Sequence, residues 1–237
     1  MDFFGVIAGI AAASIWGGMY VVSKAVLDII PPFVLLSLRL ILGVTCLLLI
    51  ILVNKRWALS RRRIFQALLV GFVGYGISLG FQFTGTKLST ASNAALVTSA
   101  SPVFILLFGA WILKERVTRN RVVALLLASL GVLAVVDPRI LIFGGDEVIG
   151  NLILIGAALT WGLYSVLIKR LSQHGSVLEV SMYAFLGGLP LSMTAAGFER
   201  ELIVWHAING VVILGILYLG IISTALAMYL WNSALAR

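Results

Sequence analysis

The sequence predicts an all-α, polytopic helical membrane protein, and three observations carry that prediction. Mean hydropathy is +1.12, with 61% hydrophobic and 11% charged residues, against about 25% charged in soluble domains. Apolar runs of about 20 residues, the length of a membrane-crossing helix, follow one another between short charged or turn-rich breaks. They lack the alternation that barrel strands need. Finally, the phrase WGGMYVVSK, Trp16 to Lys24, returns 145 positions later as WGLYSVLIK, Trp161 to Lys169. A large internal repeat in a polytopic membrane protein marks transporter folds.

Eight spans are expected, at 3–23, 32–53, 64–86, 91–113, 119–136, 148–168, 177–197 and 207–231. Pro31-Pro32 separates the first two, because proline cannot donate to a continuing helix. Asn54-Lys55-Arg56 closes the second, Asp137-Pro138 the fifth, and Gly144-Gly145-Asp146-Glu147 precedes the sixth. Connections are mostly short, so successive helices are expected to be antiparallel neighbours. The lone Cys46 lies within an apolar run, which excludes a disulfide framework.

Net charge is +8, but the basic residues sit in short clusters between apolar runs, as topology control requires and nucleic-acid binding does not. With the N-terminus cytoplasmic, inner loops hold 12 Lys and Arg residues, among them Lys55, Arg56, Arg61, Arg62, Arg63, Lys169 and Arg170. Outer loops hold four: Lys24, Lys87, Arg139 and Arg200. That bias predicts a multi-pass protein of the plasma (inner) membrane with its N-terminus inside.

The first repeat contains five spans, an odd number, so the second copy enters the membrane in the opposite direction. A second anchor aligns TGTKL, Thr84 to Leu88, with SALAR, Ser233 to Arg237, at an offset of 149. On that register, nothing in the second half corresponds to the stretch from Ser89 to about Val136.

Several phrases carry a family resemblance: AAASIWGGMYVVSK, PPFVLLSLRLILG, the run from TKLSTASNAALV to LLLASLGVLAVV, GAALTWGLYSVLIKR and LGIISTALAMYLWNSALAR. Together they resemble the EamA type of the drug/metabolite transporter superfamily. Pro102 and Glu115 stand at the family's positions, and Lys114 occupies the usual glycine site before that glutamate. The resemblance implies ten helices in two inverted five-helix repeats. Eight of the ten are expected here, with residues 1–136 as the first repeat and 148–237 as an incomplete second repeat of three helices.

A substrate path between the repeats would be lined by groups that are costly facing lipid. Arg39 is the intramembrane charge, about 9 Å along its helix from Phe33 at 1.5 Å per residue. It can engage an anionic substrate group, or snorkel to the outer interface; the resemblance, which implies an arginine here, favours the first. Trp16 and Tyr20 share one helix face, as do Trp161 and Tyr164, and either face can line a path for aromatic solutes or simply pack. Gly71, Tyr75, Ser78 and Gln82 form one stripe that suits either a cavity or close helix packing. Asn93, Thr98, Ser99 and Ser101 make the fourth span polar near Pro102, which removes a donor and frees a carbonyl. Trp57, Trp111 and Trp205 read as interfacial anchors. Glu115, between Lys114 and Arg116, reads as a local salt bridge or cap.

An enzyme would need a paired nucleophile and base, or metal ligands, at membrane depth. His174 and His206 fall at span edges and no interior Asp or Glu is expected, so no catalytic residue, metal or cofactor is assigned. No phosphate loop supports ATP-driven pumping. The expected activity is secondary transport or facilitation of a small organic metabolite or drug, by alternating access in the lipid bilayer. The alternative is a non-transporting fragment or half-assembly, completed by a homodimer or by the missing helices in trans.

Overall fold

The computed structural model describes residues 3–54, 58–135, 146–173 and 175–236. Lys55, Arg56, Trp57, the breaks around Pro138 and Gly144, His174 and Arg237 lie outside the described residues.

The described residues form helices α1 (Phe3–Leu27), α2 (Pro32–Asn54), α3 (Arg61–Gly71), α4 (Leu79–Leu88), α5 (Ala91–Thr98) and α6 (Ser101–Ile112). Further on come α7 (Arg119–Val135), α8 (Asp146–Ser172), α9 (Val177–Glu199), α10 (Gly210–Leu217) and α11 (Ala227–Ala236). A π-helical segment, Phe72–Ser78, joins α3 to α4, and another, Tyr218–Leu226, joins α10 to α11. Among the described residues, seven stretches are long and apolar enough to cross a membrane: Phe3–Leu27, Pro32–Val53, Arg61–Leu88, Ala91–Ile112, Glu147–Ser172, Val177–Leu202 and Gly210–Ala236. The stretch expected as the fifth span is helical as α7, but its 17 described residues do not place it among those seven. Several spans run longer than the sequence predicts, because polar residues such as Arg61 and Lys87 belong to helical end turns rather than loops.

Local chemistry explains the ends. Pro32 opens α2, and the Glu199 carboxylate accepts from the Phe33 N–H at 2.7 Å, filling a donor that the helix leaves orphaned. Thr90, Ser176 and Asn209 cap α5, α9 and α10 through their side chains. Lys24, expected in an outer loop, lies within α1. Its Nζ donates to the carbonyls of Thr86, Lys87 and Ser89 at 3.2, 2.8 and 2.7 Å, capping the C-terminus of α4. Pro102 leaves the Thr98 carbonyl without its helical donor, and the chain breaks between α5 and α6 there. Ser101 Oγ donates to that carbonyl at 2.6 Å, so the carbonyl freed by proline is locally satisfied.

Lipid is as apolar as leucine, so helices associate here through close packing and hydrogen bonds rather than water exclusion. Phe65, Leu69, Leu107, Leu126, Leu152 and Leu214 are accordingly exposed, while Arg39, Asn93, Ser181, Ser223, Thr224 and Asn232 are buried. Trp111 and Trp205 are 76% and 69% exposed, as interfacial anchors require. The closest crossing joins α3 to α9. A Cβ on Gly71 would stand 1.9 Å from the Ala184 carbonyl oxygen, and one on Gly187 2.0 Å from that of Leu68. Only glycine permits backbones so close.

The packing has a reciprocal pattern. α2 crosses α9; α8 lies on α4 and on the segment Phe72–Ser78; α1 lies on α11 and on Tyr218–Leu226.

Candidate functional site

Arg39 projects from α2 into the interior and is 0% exposed, so it does not snorkel. Its Nε donates to Thr224 Oγ1 at 2.7 Å and Nη2 to Ser223 Oγ at 3.4 Å, with Nη1 3.7 Å from Met19 Sδ. The guanidinium also lies 5.0 Å from the centroid of the Phe83 ring, a favourable cation–π distance. Every one of these partners is neutral. Glu115 pairs with Arg121 and Lys169 rather than with Arg39. A guanidinium has five N–H donors, so Arg39 keeps capacity for a further acceptor.

The π-helical segment Tyr218–Leu226 supplies this site because its wider turn redirects backbone groups, and such segments often occur at functional sites. Thr224 Oγ1 donates five residues back, to the Leu219 carbonyl at 2.7 Å, which turns its lone pairs toward Arg39. The Ser223 carbonyl accepts from Trp16 Nε1 at 3.1 Å.

Trp16 belongs to an aromatic cluster centred on Trp161 and Tyr75. It meets Trp161 edge-on at 5.7 Å and Trp231 at 5.4 Å. Trp161 lies 4.8 Å from Tyr164 and 6.4 Å from Tyr75. Tyr75 also packs on Phe185 at 4.7 Å. The two repeat phrases thus bring Trp16 and Trp161 into contact, half-buried against the core.

Below the rings, Tyr75 and Tyr164 share a hydrogen bond, Tyr164 donates to Asn232 Oδ1 at 3.2 Å, and Asn232 Nδ2 donates to Ser181 Oγ at 2.8 Å. This chain links the segment Phe72–Ser78 to α8, α11 and α9. The stripe containing Tyr75 divides its duties. Gly71 packs on α9, Ser78 Oγ donates to the Ala157 carbonyl at 2.9 Å, and Gln82 is buried on α4. Tyr20 hydrogen-bonds Thr98, joining α1 to the break between α5 and α6. One turn before that break, Asn93 is buried with both side-chain amide atoms lacking a hydrogen-bond partner. Trp231 Nε1 and Ser23 Oγ are in the same condition.

A profile described as the EamA-like transporter family matches residues 3–137 and 148–237. The chain belongs to the EamA-like transporter family. It is 28% identical over 236 residues to the Uncharacterized transporter YetK of Bacillus subtilis, covering 96% of this chain and 70% of that one. A probable amino-acid metabolite efflux pump of Salmonella typhimurium is 27% identical over 236 residues, covering 94% and 75%. A protein of the same description from Escherichia coli is 24% identical over 238 residues, covering 94% and 75%. A solved crystal structure superposes with a TM-score of 0.77 at 21% identity, over 100% of this chain and 80% of that one. That last likeness establishes the fold alone. The EamA-like chain is therefore a multi-pass membrane transporter, and its relatives carry the names of transporters rather than enzymes.

Sequence reasoning missed four residues of this EamA-like site. Ser223, Thr224, Trp231 and Asn232 lie in a run of apolar sequence that carries no charge to draw attention. The signal available was the pair of adjacent hydroxyls and the single amide within that run. A further correction concerns acidic groups. Glu179 is 1% exposed in the first turn of α9, although no interior carboxylate was expected. Its two oxygens accept from the Ala58 and Leu59 N–H groups at 2.7 and 2.9 Å, so it clamps the chain entering α3. Among the described residues, no group of three or more His, Cys, Asp and Glu could hold a metal ion.

Glu115 serves as the expected salt bridge. It receives Lys169 Nζ at 2.8 Å and Arg121 Nη1 at 2.7 Å. The Lys169 bond holds its carboxyl below the ordinary value, against partial desolvation that pushes it up. Lys114 has φ 54°, and the Glu115 N–H reaches back to the Gly109 carbonyl at 3.2 Å. This is a helix C-terminus closed through a left-handed residue, the position where glycine is favoured.

Proposed function

We propose that this chain is a secondary transporter or facilitator that exports or exchanges a small amino-acid-like metabolite bearing an anionic group. The observation that carries the proposal is Arg39: a fully buried guanidinium held by neutral partners, beside an aromatic cluster. A buried charge without a counter-charge is costly in a membrane interior, and a substrate carboxylate would offset that cost. Trp16, Trp161, Tyr75 and Tyr164 would enclose the apolar part of the solute. Tyr20, Asn93 and Gln82 would present polar groups to it. Two relatives described as amino-acid metabolite efflux pumps support the same substrate class.

The rings touch one another, so solute entry requires the cluster to part. Alternating access through opposed rocking of the two halves provides that motion. The reciprocal packing of α1 with α11 and α8 with α4, and the two π-helical segments in matching spans, support an inverted repeat. The repeats would be residues 1–136 and 148–237, with α7 completing eight spans. The lysine and arginine bias supports a cytoplasmic N-terminus in the plasma (inner) membrane.

Uptake and efflux of a panel of amino acids and neutral solutes in proteoliposomes tests this reading, with wild type beside Arg39→Ala. Selective loss of carboxylate-bearing solutes in the variant is the expected result. Unchanged transport of every solute would remove Arg39 from the site.

One observation favours a second reading, in which the chain acts as part of a larger assembly. A Cβ on Gly162 would meet Phe104 Cβ at 2.5 Å, whereas Gly17, 145 positions earlier in the repeat, has nothing within 4 Å. The α1 face around Gly17 would take a further transmembrane helix presenting a bulky apolar side chain, as α6 does to α8. That helix could belong to a longer polypeptide, a separate chain or a second copy. Transport by a purified monomer of this chain alone would exclude the requirement.

A further inference from the structure

We propose that a groove between the charged ends of α3 and α8 binds an anionic phospholipid, distinct from the site around Arg39. The groove has a volume of about 410 Å³ and is lined by Arg63, Gln66, Leu69, Val70, Leu167, Arg170 and Leu171. On α3, Arg63, Gln66 and Val70 fall at spacings of three and four, and on α8 so do Leu167, Arg170 and Leu171. Each set therefore shares one helix face. On α3 the polar Arg63 and Gln66 precede the deeper Leu69 and Val70; on α8 Leu167 lies deeper, with Arg170 and Leu171 in the last turn. Arg63 and Val70 are separated by about 10 Å of helix rise.

This arrangement matches a lipid in both parts. The Arg63 guanidinium and the Gln66 amide offer donors for a phosphodiester, Arg170 adds positive charge beside them, and arginine suits phosphate geometry. Leu69, 52% exposed beside the buried Val70, opens the groove sideways to the bilayer, where an acyl chain can lie against Leu167 and Leu171. The start of α3 adds to the attraction. Ser60 makes no side-chain cap and the first turn holds no acidic residue, only Arg61, Arg62 and Arg63. Three cations at a helix N-terminus are electrostatically unfavourable; Glu179, held on the Ala58 and Leu59 N–H groups just before α3, offsets part of this, and a bound anion adds to that relief. Basic pockets between transmembrane helices suit such headgroups. A free phosphate would use the arginines but leave the apolar walls unfilled.

The test is the thermal midpoint of the full chain in neutral detergent. Dioleoylphosphatidylglycerol, dioleoylphosphatidylcholine or inorganic phosphate is added at equal concentration. Phosphatidylglycerol is expected to raise the midpoint about 3 °C above phosphatidylcholine, with inorganic phosphate giving no rise. The Arg63→Gln/Arg170→Gln pair should lose the rise, and the Arg61→Gln/Arg62→Gln pair, which removes equal charge outside the groove, should keep it. Leu69→Trp, which fills the lateral opening without changing charge, should also lose it. Equal effects of the two lipids, or a full rise with inorganic phosphate, would overturn the proposal. So would a rise that survives in both groove variants or vanishes equally in the control pair.

Discussion

Thr224 and Arg39 stand 185 residues apart in sequence, and the threonine Oγ1 accepts the guanidinium Nε–H at 2.7 Å in a fully buried setting. The bond joins α2 to the π-helical segment of the last described span, and it fixes the plane of the guanidinium. Thr224→Val keeps the shape and removes the acceptor. Hydrogen bonds to charged groups contribute about 1.5–3 kcal/mol, so we expect a loss of about 2 kcal/mol, read as a lower denaturation midpoint in detergent. Thr224→Ser, which keeps the hydroxyl, should recover most of it.

A second prediction concerns the left-handed Lys114. A non-glycine residue there costs about 1–2 kcal/mol, partly offset by the chain entropy that glycine would lose on folding. Lys114→Gly should therefore stabilise the protein by roughly 0.5 kcal/mol, and Lys114→Val should destabilise it. Thermal midpoints of the two variants check the sign.

The hydroxyl chain below the aromatic cluster predicts an asymmetry. Asn232→Leu strips a partner from both Tyr164 and Ser181, while Tyr75→Phe leaves Tyr164 its bond to Asn232. Interhelical hydrogen bonds in membranes are worth about 0.6 kcal/mol on average, so Tyr75→Phe should cost about that. Asn232→Leu should cost at least twice as much, because two buried groups lose partners. Equal midpoints for the two variants would refute the linkage.

Glu115 gives a pH dependence. Its folded-state value is depressed by Lys169, so its contribution is complete above the ordinary carboxylate value of about 4.5 and is lost as pH falls through the lower folded value. Protection of the amides at 113–118, corrected for the intrinsic pH dependence of exchange, should hold at neutral pH and fall once acidification passes the depressed value of Glu115 and the loop leaves α8. Glu115→Gln should show lower protection already at neutral pH and no further loss on acidification.

The spans were legible because hydropathy responds to the same property that lipid selects, and the ends were legible where prolines or charges mark them. Trp16 and Trp161 were found because a repeated phrase carries them, and Lys114 was marked because it stands where the family resemblance implies glycine. Lys24 was misplaced because a lysine that caps a neighbouring helix looks, in sequence, like one in a loop. Glu179 was missed for a related reason: its carboxylate is satisfied by backbone N–H groups 120 and 121 residues away. The partners of Arg39 were invisible because they depend on the π-helical turn around Thr224, and hydrophobic periodicity carries no sign of that turn.

The central claim is that Arg39 reads a negative charge on the transported solute. The most direct measurement is binding of an amino acid and of its carboxamide analogue to the purified protein, in wild type and in Arg39→Gln. Wild type should prefer the carboxylate by about tenfold or more, the scale of one hydrogen bond to a charged group, and Arg39→Gln should bind the two alike. The same preference in both proteins would contradict the account.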